Sequence, residues 1–395
     1  MTKNDISMIL YNRLTTLAYV SSLPYLRPGP PSWSPYIQSI QKKWSNISHA
    51  INFVFWTSQI LSFYTQKHLN SQQKSDQLLY ALVHPFLYVS SITIVYLKDD
   101  VRKLIHNVVK NSSDFYKDKT VERQMVKKCN TAVGLVLGMA AVSFTTTGIE
   151  HSIKALIKGA VFTPIITAWP KVEDRSYSAS VGRVCVYIAW FNVFLPVCGA
   201  VPMIISLTIT TSHQYIQLQS YFNNLSSIFK EVSEQKEKEI KYEEGLKLGI
   251  KQHVKLLGYT MDLIKICNPA CGAQTMLNIF VAVTNMLVLV DDDRTIAKML
   301  INISVIITST LVLGFYLCSI GDIAIEASNL TSAMYGSGWE NCGRGSSVRV
   351  RKLLGVAMAQ TQKPLLIITL GIVPVSYASF LSIAKTTYSV FSVLY

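Results

Sequence analysis

Two thiols one helical turn apart, Cys267 and Cys271, are this chain's nearest approach to a metal-ligand spacing. A tetrahedral zinc site needs a second pair or a His cluster, and neither follows, so the pair reads as small residues packing at a helix end. The remaining cysteines, Cys129, Cys185, Cys198, Cys318 and Cys342, are scattered and bring the total to an odd seven, unlike a secreted disulfide framework. His84 stands beside Pro85 in an apolar run, where a core or kink residue is the simpler reading than a proton relay. No grouping of acids, His and nucleophiles suggests catalysis, so the chain is read as a non-enzyme without metal or cofactor. Its chemistry is then non-covalent, carried by aromatic rings and hydroxyls on long apolar stretches.

Those stretches decide the class. The formal charge is +14, with 50% hydrophobic and only 15% charged residues, so basic residues concentrate in loops between apolar runs. A nucleic-acid binder would spread Lys and Arg over a domain face, and this chain does not. No basic segment followed by an apolar run and a small-residue cleavage site opens the chain, so no cleaved signal peptide is expected. A hydrocarbon core about 30 Å thick takes roughly 17 to 25 apolar residues per helix. Seven stretches qualify: Ile47–Tyr64, Leu78–Tyr96, Thr131–Gly148, Val184–Ile209, Ala273–Val290, Met299–Ile320 and Ile367–Tyr395. The first is the weakest, interrupted by Ser48, His49, Asn52, Ser58 and Gln59. The expectation is an all-α polytopic membrane protein with seven transmembrane helices and with the two termini on opposite sides.

Of the 37 Lys and Arg, 27 fall in the amino-terminal segment and the second, fourth and sixth loops. The positive-inside rule then puts the amino terminus in the cytoplasm and Tyr395 outside. The sequons at Asn46, Asn111, Asn224 and Asn329 would face the cytosol, and Asn302 would lie within a span. This topology is inverted relative to a G-protein-coupled receptor. The spans also lack the Asp-Arg-Tyr that would close the third.

Two amphipathic helices leave the bilayer on the cytoplasmic side, within about 211–266. One carries Tyr215, Leu218, Phe222, Leu225 and Phe229 at steps of three and four, the other Ile250, Val254, Leu257, Met261 and Ile264. Between them, Lys230 to Lys247 alternates in charge as a solvated connector does. A third helix, from near Ser347 to near Pro364, precedes the last span, because Pro364 cannot continue the hydrogen-bond ladder. Together they form a cytoplasmic anchor bundle suited to subunit association. The chain thus divides into 1–320, six helices with their cytoplasmic extensions, and 321–395, an anchor helix followed by the seventh span.

Three motifs carry a family likeness: Tyr335-Gly-Ser-Gly-Trp339, Ala359-Gln-x-x-Lys-Pro364, and Thr387-Tyr-Ser-Val-Phe391 with Leu394. They resemble the carboxyl-terminal signature of insect odorant receptors. Gly249-Ile-Lys-x-His253-Val-x-Leu-Leu257 and Trp169-Pro170 are similar to further elements of that family. The resemblance covers the whole chain in length and span spacing. Gustatory receptors share the architecture but usually end in a Thr-Tyr followed by a Gln-Phe pair, and the co-receptor subunit has a longer second intracellular loop. The likeness is therefore to a ligand-tuned subunit in the plasma membrane of a sensory neuron dendrite. It implies an odorant-gated non-selective cation channel, a heterotetramer with the co-receptor whose last span lines the pore.

A small apolar odorant calls for a mostly hydrophobic pocket with a few polar groups. The outer halves of the spans nominate Phe86, Ser143, Phe144, Thr147, Trp190, Phe194, Asn302 and Ile306, Trp190 foremost. Matching the family's ending assigns Thr387, Phe391 and Tyr395 to pore and gate. Tyr335, Trp339, Leu353, Leu354 and Pro364 belong to the subunit anchor. Lys385 is expected to point away from the pore axis, since a positive charge repels a permeant cation. Asp291-Asp292-Asp293 could gather cations at the mouth, although a solvated turn explains it as well. A gustatory-type channel and a secondary transporter are the alternatives. Against the transporter, no buried acid or internal repeat is visible.

Overall fold

The computed structural model describes residues 6–27, 34–111, 115–156, 165–231, 233–290, 296–369, 371 and 373–394. Ten α-helices are described: α1 (Ile6–Val20), α2 (Pro35–Thr65), α3 (Ser71–Tyr96), α4 (Lys98–Ile105), α5 (Lys119–Leu156), α6 (Tyr177–Leu225), α7 (Gln235–Val290), α8 (Ile296–Tyr335), α9 (Arg344–Thr361) and α10 (Tyr377–Leu394). A π-helical turn, His106–Asn111, follows α4, and short 3₁₀ turns follow α6 and α8. Five described helical segments are long and apolar enough to cross a membrane: Gln73–Tyr96, Lys119–Ile149, Tyr177–Lys230, Gln235–Met286 and Met299–Asn341. The chain is a multi-pass membrane protein, and the all-α expectation holds apart from one two-residue strand pair. Helix α2 falls short because its buried stripe is itself polar: Ser48, Asn52, Gln59 and Ser62 face the protein with Phe55.

Length explains the shape. At about 1.5 Å per residue, the 49 residues of α6 and the 56 of α7 extend roughly 70 and 80 Å, more than twice a hydrocarbon core. Both project beyond the apolar zone at the end where Lys and Arg cluster, here termed the basic end. Helix α6 is the central element and packs on α1, α2, α3, α5, α7 and α8. Its close approaches use glycine: a Cβ at Gly199 would stand 2.9 Å from Ala18 Cα, so α1 can lie backbone to backbone on α6. Pro196 and Pro202 lie within α6, and neighbouring helices make such breaks tolerable in a membrane.

The α6 extension buries Tyr215, Leu218, Phe222 and Leu225 as its periodicity predicts. The α7 extension differs from expectation by about 100° of helix rotation. Val254 and Met261 are exposed, whereas Tyr242, Leu246, His253, Leu256, Thr260, Leu263 and Cys267 are buried. Hydrogen bonding turned the helix this way, with Tyr215 Oη 3.0 Å from Thr260 Oγ1 and Tyr242 Oη 2.6 Å from Ser337 Oγ. An apolar stripe counted by hydropathy alone misses a face on which Tyr242 and Thr260 find partners on other helices and turns.

The last span also differs. Ile367 does not begin a helix: β1 (Ile368–Thr369) pairs antiparallel with β2 (Val373–Pro374). Gly371 turns between them at φ +71°, and Thr369 Oγ1 donates to the Asn268 carbonyl. Pro364 and Pro374 remove helical donors on either side. The final helix starts only at Tyr377, where the Ser376 hydroxyl accepts the Ser379 N–H.

Candidate functional site

At the end of the bundle opposite the basic one, α5 and α6 bring five rings together. Phe144 lies 4.8 Å from Trp190, 4.8 Å from Phe191 and 4.4 Å from Phe194, and Tyr187 stacks on Trp190 at 6.0 Å. These edge and tilted contacts are preferred aromatic geometries. Trp190 is 2% exposed and joins Phe55, Ile165 and Val193 in a core separate from the main one. Of the expected ligand residues, Phe144, Trp190 and Phe194 therefore meet. Ser143 ties the cluster's helix to α8: its hydroxyl is 2.7 Å from Thr308 Oγ1 and 3.0 Å from the Ser304 carbonyl.

The other nominees divide. The Thr147 hydroxyl donates to the Ser143 carbonyl within α5, the self-satisfaction common for Thr in membrane helices. Phe86 stacks on Phe280 of α7 at 5.8 Å, so it belongs to a second contact between α3 and α7. Asn302 and Ile306 sit half-buried on α8, and Asn302 Nδ2 finds no partner among the described residues. Tyr187 and Phe191 were missed. Tyr187 donates to the Gly148 carbonyl at 2.9 Å and closes the cluster toward the end of α5. Spacing could have found both, since they stand at i−3 and i+1 from Trp190.

His84 is a core residue. Its ring stacks on Tyr80 at 5.3 Å and tilts against Phe55 at 5.5 Å, and Nδ1 is 2.9 Å from Gln59 Oε1. Cys267 and Cys271 are buried free thiols. A cleft of about 390 Å³, counting its open mouth, lies at the basic end between Ser7, Glu122, His213 and Gln217, far along α6 from Trp190. There Glu122 accepts from Ser7 and pairs with Lys117 at 3.1 Å, so its polar groups are largely spoken for.

The anchor region is built differently, from charges and caps. Glu239 of α7 accepts the Gly343 N–H at 2.7 Å and the Ser346 hydroxyl, and so caps α9 from a neighbouring helix. Those bonds, led by Ser346, hold its carboxyl below the ordinary carboxylate range. Glu243 receives Arg349 at 3.1 Å and Lys247 at 2.8 Å. Of the expected anchor residues, Trp339 donates to the Tyr335 carbonyl, packs on its ring at 6.1 Å and carries Arg351 over its face at 5.3 Å. Leu354 is buried, Leu353 half-buried, and Pro364 exposed at the end of α9. Gly338 turns at φ +93° with Ser226 Cα 2.9 Å from where a Cβ would be, which explains a glycine in this motif.

The last helix is pinned where it begins. Asp322 of α8 accepts from Tyr377 Oη and pairs with Lys128 of α5 at 2.6 Å, so one carboxylate joins α5, α8 and α10. Thr387 is not a surface residue of α10. It is 3% exposed, shares a buried face with Ser379 and Ile383, and donates to the Ile383 carbonyl at 2.8 Å. Lys385 is exposed. The Phe391 side chain, Tyr395 and Asp291–Asp293 lie outside the described residues.

The 7tm Odorant receptor family profile matches residues 84–388. The chain belongs to that family. Its fold is similar to the insect olfactory receptor OR5 from Machilis hrabei in complex with eugenol, with a TM-score of 0.81 at 12% identity and 99% of each chain covered. The structure of OR5 from Machilis hrabei described without a ligand matches with a TM-score of 0.76 at 12% identity, covering 98% of this chain and 97% of that one. No curated protein matches. The carboxyl-terminal signature that suggested an odorant receptor is thereby borne out, and its parts have structural jobs: a glycine turn at Gly338, a helix end before Pro364 and a pinned final helix.

Proposed function

We propose that this odorant receptor is the ligand-tuned subunit of an odorant-gated, non-selective cation channel that assembles with the co-receptor as a heterotetramer. The amino terminus is cytoplasmic and the carboxyl terminus extracellular, as the distribution of basic residues favours. The ligand is a small, largely apolar odorant held at the aromatic end by Phe144, Trp190 and Phe194. The eugenol complex of the Machilis hrabei receptor supports that ligand class. The pore is lined by α10, with Phe391 and Tyr395 at the constriction. Residues 321–395 assemble and conduct, and 1–320 bind.

One observation carries the mechanism. Helix α8 holds Ser143, the neighbour of Phe144 on α5, through Ser304 and Thr308 and, about four to five turns along, holds the start of α10 through Asp322. A ligand that binds the arrangement of α5 against α8 found in the open state shifts the channel by its difference in affinity for the two states. No covalent step is involved. The test is co-expression with the co-receptor under patch recording. Odour-evoked cation current that requires both subunits is the expected result, and substrate uptake by this chain alone would replace the channel with a transporter.

A further inference from the structure

Helix α2 presents apolar residues outward and polar ones inward. Phe53, Val54, Ile60, Leu61 and Phe63 are exposed, and Ser48, Asn52, Gln59 and Ser62 are buried around Phe55. Most of that buried polarity is paired: Asn192 Nδ2 reaches Asn52 Oδ1 at 2.8 Å, Ser48 Oγ reaches Asn192 Oδ1 at 2.9 Å, and Gln77 Nε2 reaches Ser62 Oγ at 2.7 Å. Besides His49 Nε2 nearer the start of the helix, three N–H groups on this face are left over. Asn52 Nδ2, Trp56 Nε1 and Gln59 Nε2 are buried with no partner among the described residues. Gln59 is 1% exposed and Asn52 5%.

Positions 52, 56 and 59 follow i, i+4, i+7 and so share one face, spread over about 10 Å of helix. An amide can be turned end for end, which would exchange its donor for an acceptor. An indole is donor-only, so Trp56 fixes the sign of the site. Unpaired buried donors are costly, and a native structure ordinarily gives each a partner. Phe55 lies between them, packed with Trp190 in the aromatic core, and His84 lies against both Phe55 and Gln59.

We propose that this face of α2 is the polar subsite of the ligand pocket, and that it selects odorants bearing a hydrogen-bond acceptor, a ketone, aldehyde or ester carbonyl, which accepts a hydrogen bond from Gln59 Nε2 while the apolar body lies against Phe55 and Trp190. The inference rests on the odorant-channel reading above. It assigns the ligand a chemical class that an aromatic cluster alone does not.

The test uses shape-matched pairs on the co-expressed channel: propiophenone against 2-phenylbut-1-ene, in which C=O becomes C=CH₂, with further alkyl phenyl ketones and their methylidene counterparts. Wild type is expected to favour the ketones by about threefold to tenfold in half-maximal concentration, the range of one neutral hydrogen bond. Gln59→Leu is expected to erase that preference while the hydrocarbon responses stay in place, and Trp56→Phe is expected to reduce it. A ketone preference intact in Gln59→Leu would mean that water takes the donor, and the proposal fails. Loss of ketone and hydrocarbon responses in parallel would leave Gln59 with a packing role only. Currents from a broad odour panel with no ketone preference sink this subsite alone, whereas no odour-evoked current from any panel member sinks the channel reading beneath it.

Discussion

At one end of the bundle Phe144 rests 4.4 to 4.8 Å from three other rings. At the other, Glu239, Glu243 and Asp322 accept from Gly343, Arg349 and Lys128, and Asp100 of α4 pairs with Lys265 of α7 at 2.8 Å. The aromatic end gains by excluding water and is tolerant in angle, so it can repack around guests of different shape. The basic end gains from directional bonds and fails when one is removed. Such a division suits a receptor that must vary in what it binds and keep constant how it assembles.

The largest effect should come from the aromatic end. Trp190→Ala removes a fully buried ring and is expected to raise half-maximal concentrations more than tenfold for every active odorant. Loss of about 3–5 kcal/mol of stability accompanies so large a truncation, so surface expression is measured alongside. Trp190→Phe should recover most of the expression but not the affinity for the bulkiest ligands. An unchanged dose response in Trp190→Ala would remove it from the pocket. Next in size is Phe391→Ser, which wets an apolar constriction and is expected to raise basal current several-fold. An unaltered closed-state leak would move the gate elsewhere on α10, Tyr388 on its exposed face being the next position to test.

Asp322→Asn probes the junction of the two regions. Lys128 is half-exposed, so the ion pair itself contributes only about 0–1 kcal/mol, and the shift in gating should be about twofold to fivefold. Tyr377→Phe should act in the same direction, and the double variant should shift less than the sum, since both bonds share one carboxylate. Additive effects would show that the junction does not operate as a unit.

The same contrast governs how much could be read in advance. Helices α3, α5, α6 and α8 announce themselves by apolar length. The Phe144, Trp190 and Phe194 cluster follows from large rings at helical spacing. The α7 extension was misplaced because its buried face includes His253 and Thr260, polar residues that a hydropathy count excludes, and the Tyr215 partner of Thr260 lies on another helix and leaves no local trace. The rotation of α10, which buries Thr387 beside Ser379 and Ile383, left no trace for a related reason. A motif match fixes position in the chain but not rotation about the helix axis, and that is set by what Ser379, Ile383 and Thr387 pack against. The Ile368 to Pro374 hairpin was hidden inside an apolar run, where only Pro364, Gly371 and Pro374 hinted at a break.

The smallest predicted effect is the sharpest for the basic end. Glu239→Gln keeps the shape of the cap on α9 and removes its charge, so the purified protein should lose about 1–2 °C of thermal stability at pH 7. The folded carboxyl titrates below its unfolded value because Ser346 and the Gly343 N–H bond the ionised form. Its contribution is therefore present above the unfolded pKa, about 4.3, and disappears as pH falls through the lower folded value. The difference between wild type and Glu239→Gln should stay constant from pH 7 to about 5, shrink below about 4.3 and close only below the folded value. A difference undiminished at pH 2 would trace to packing of the side chain rather than to the charged cap. The aromatic end, whose ring contacts include no carboxylate among the described residues, should show the same Trp190→Ala deficit across that entire range.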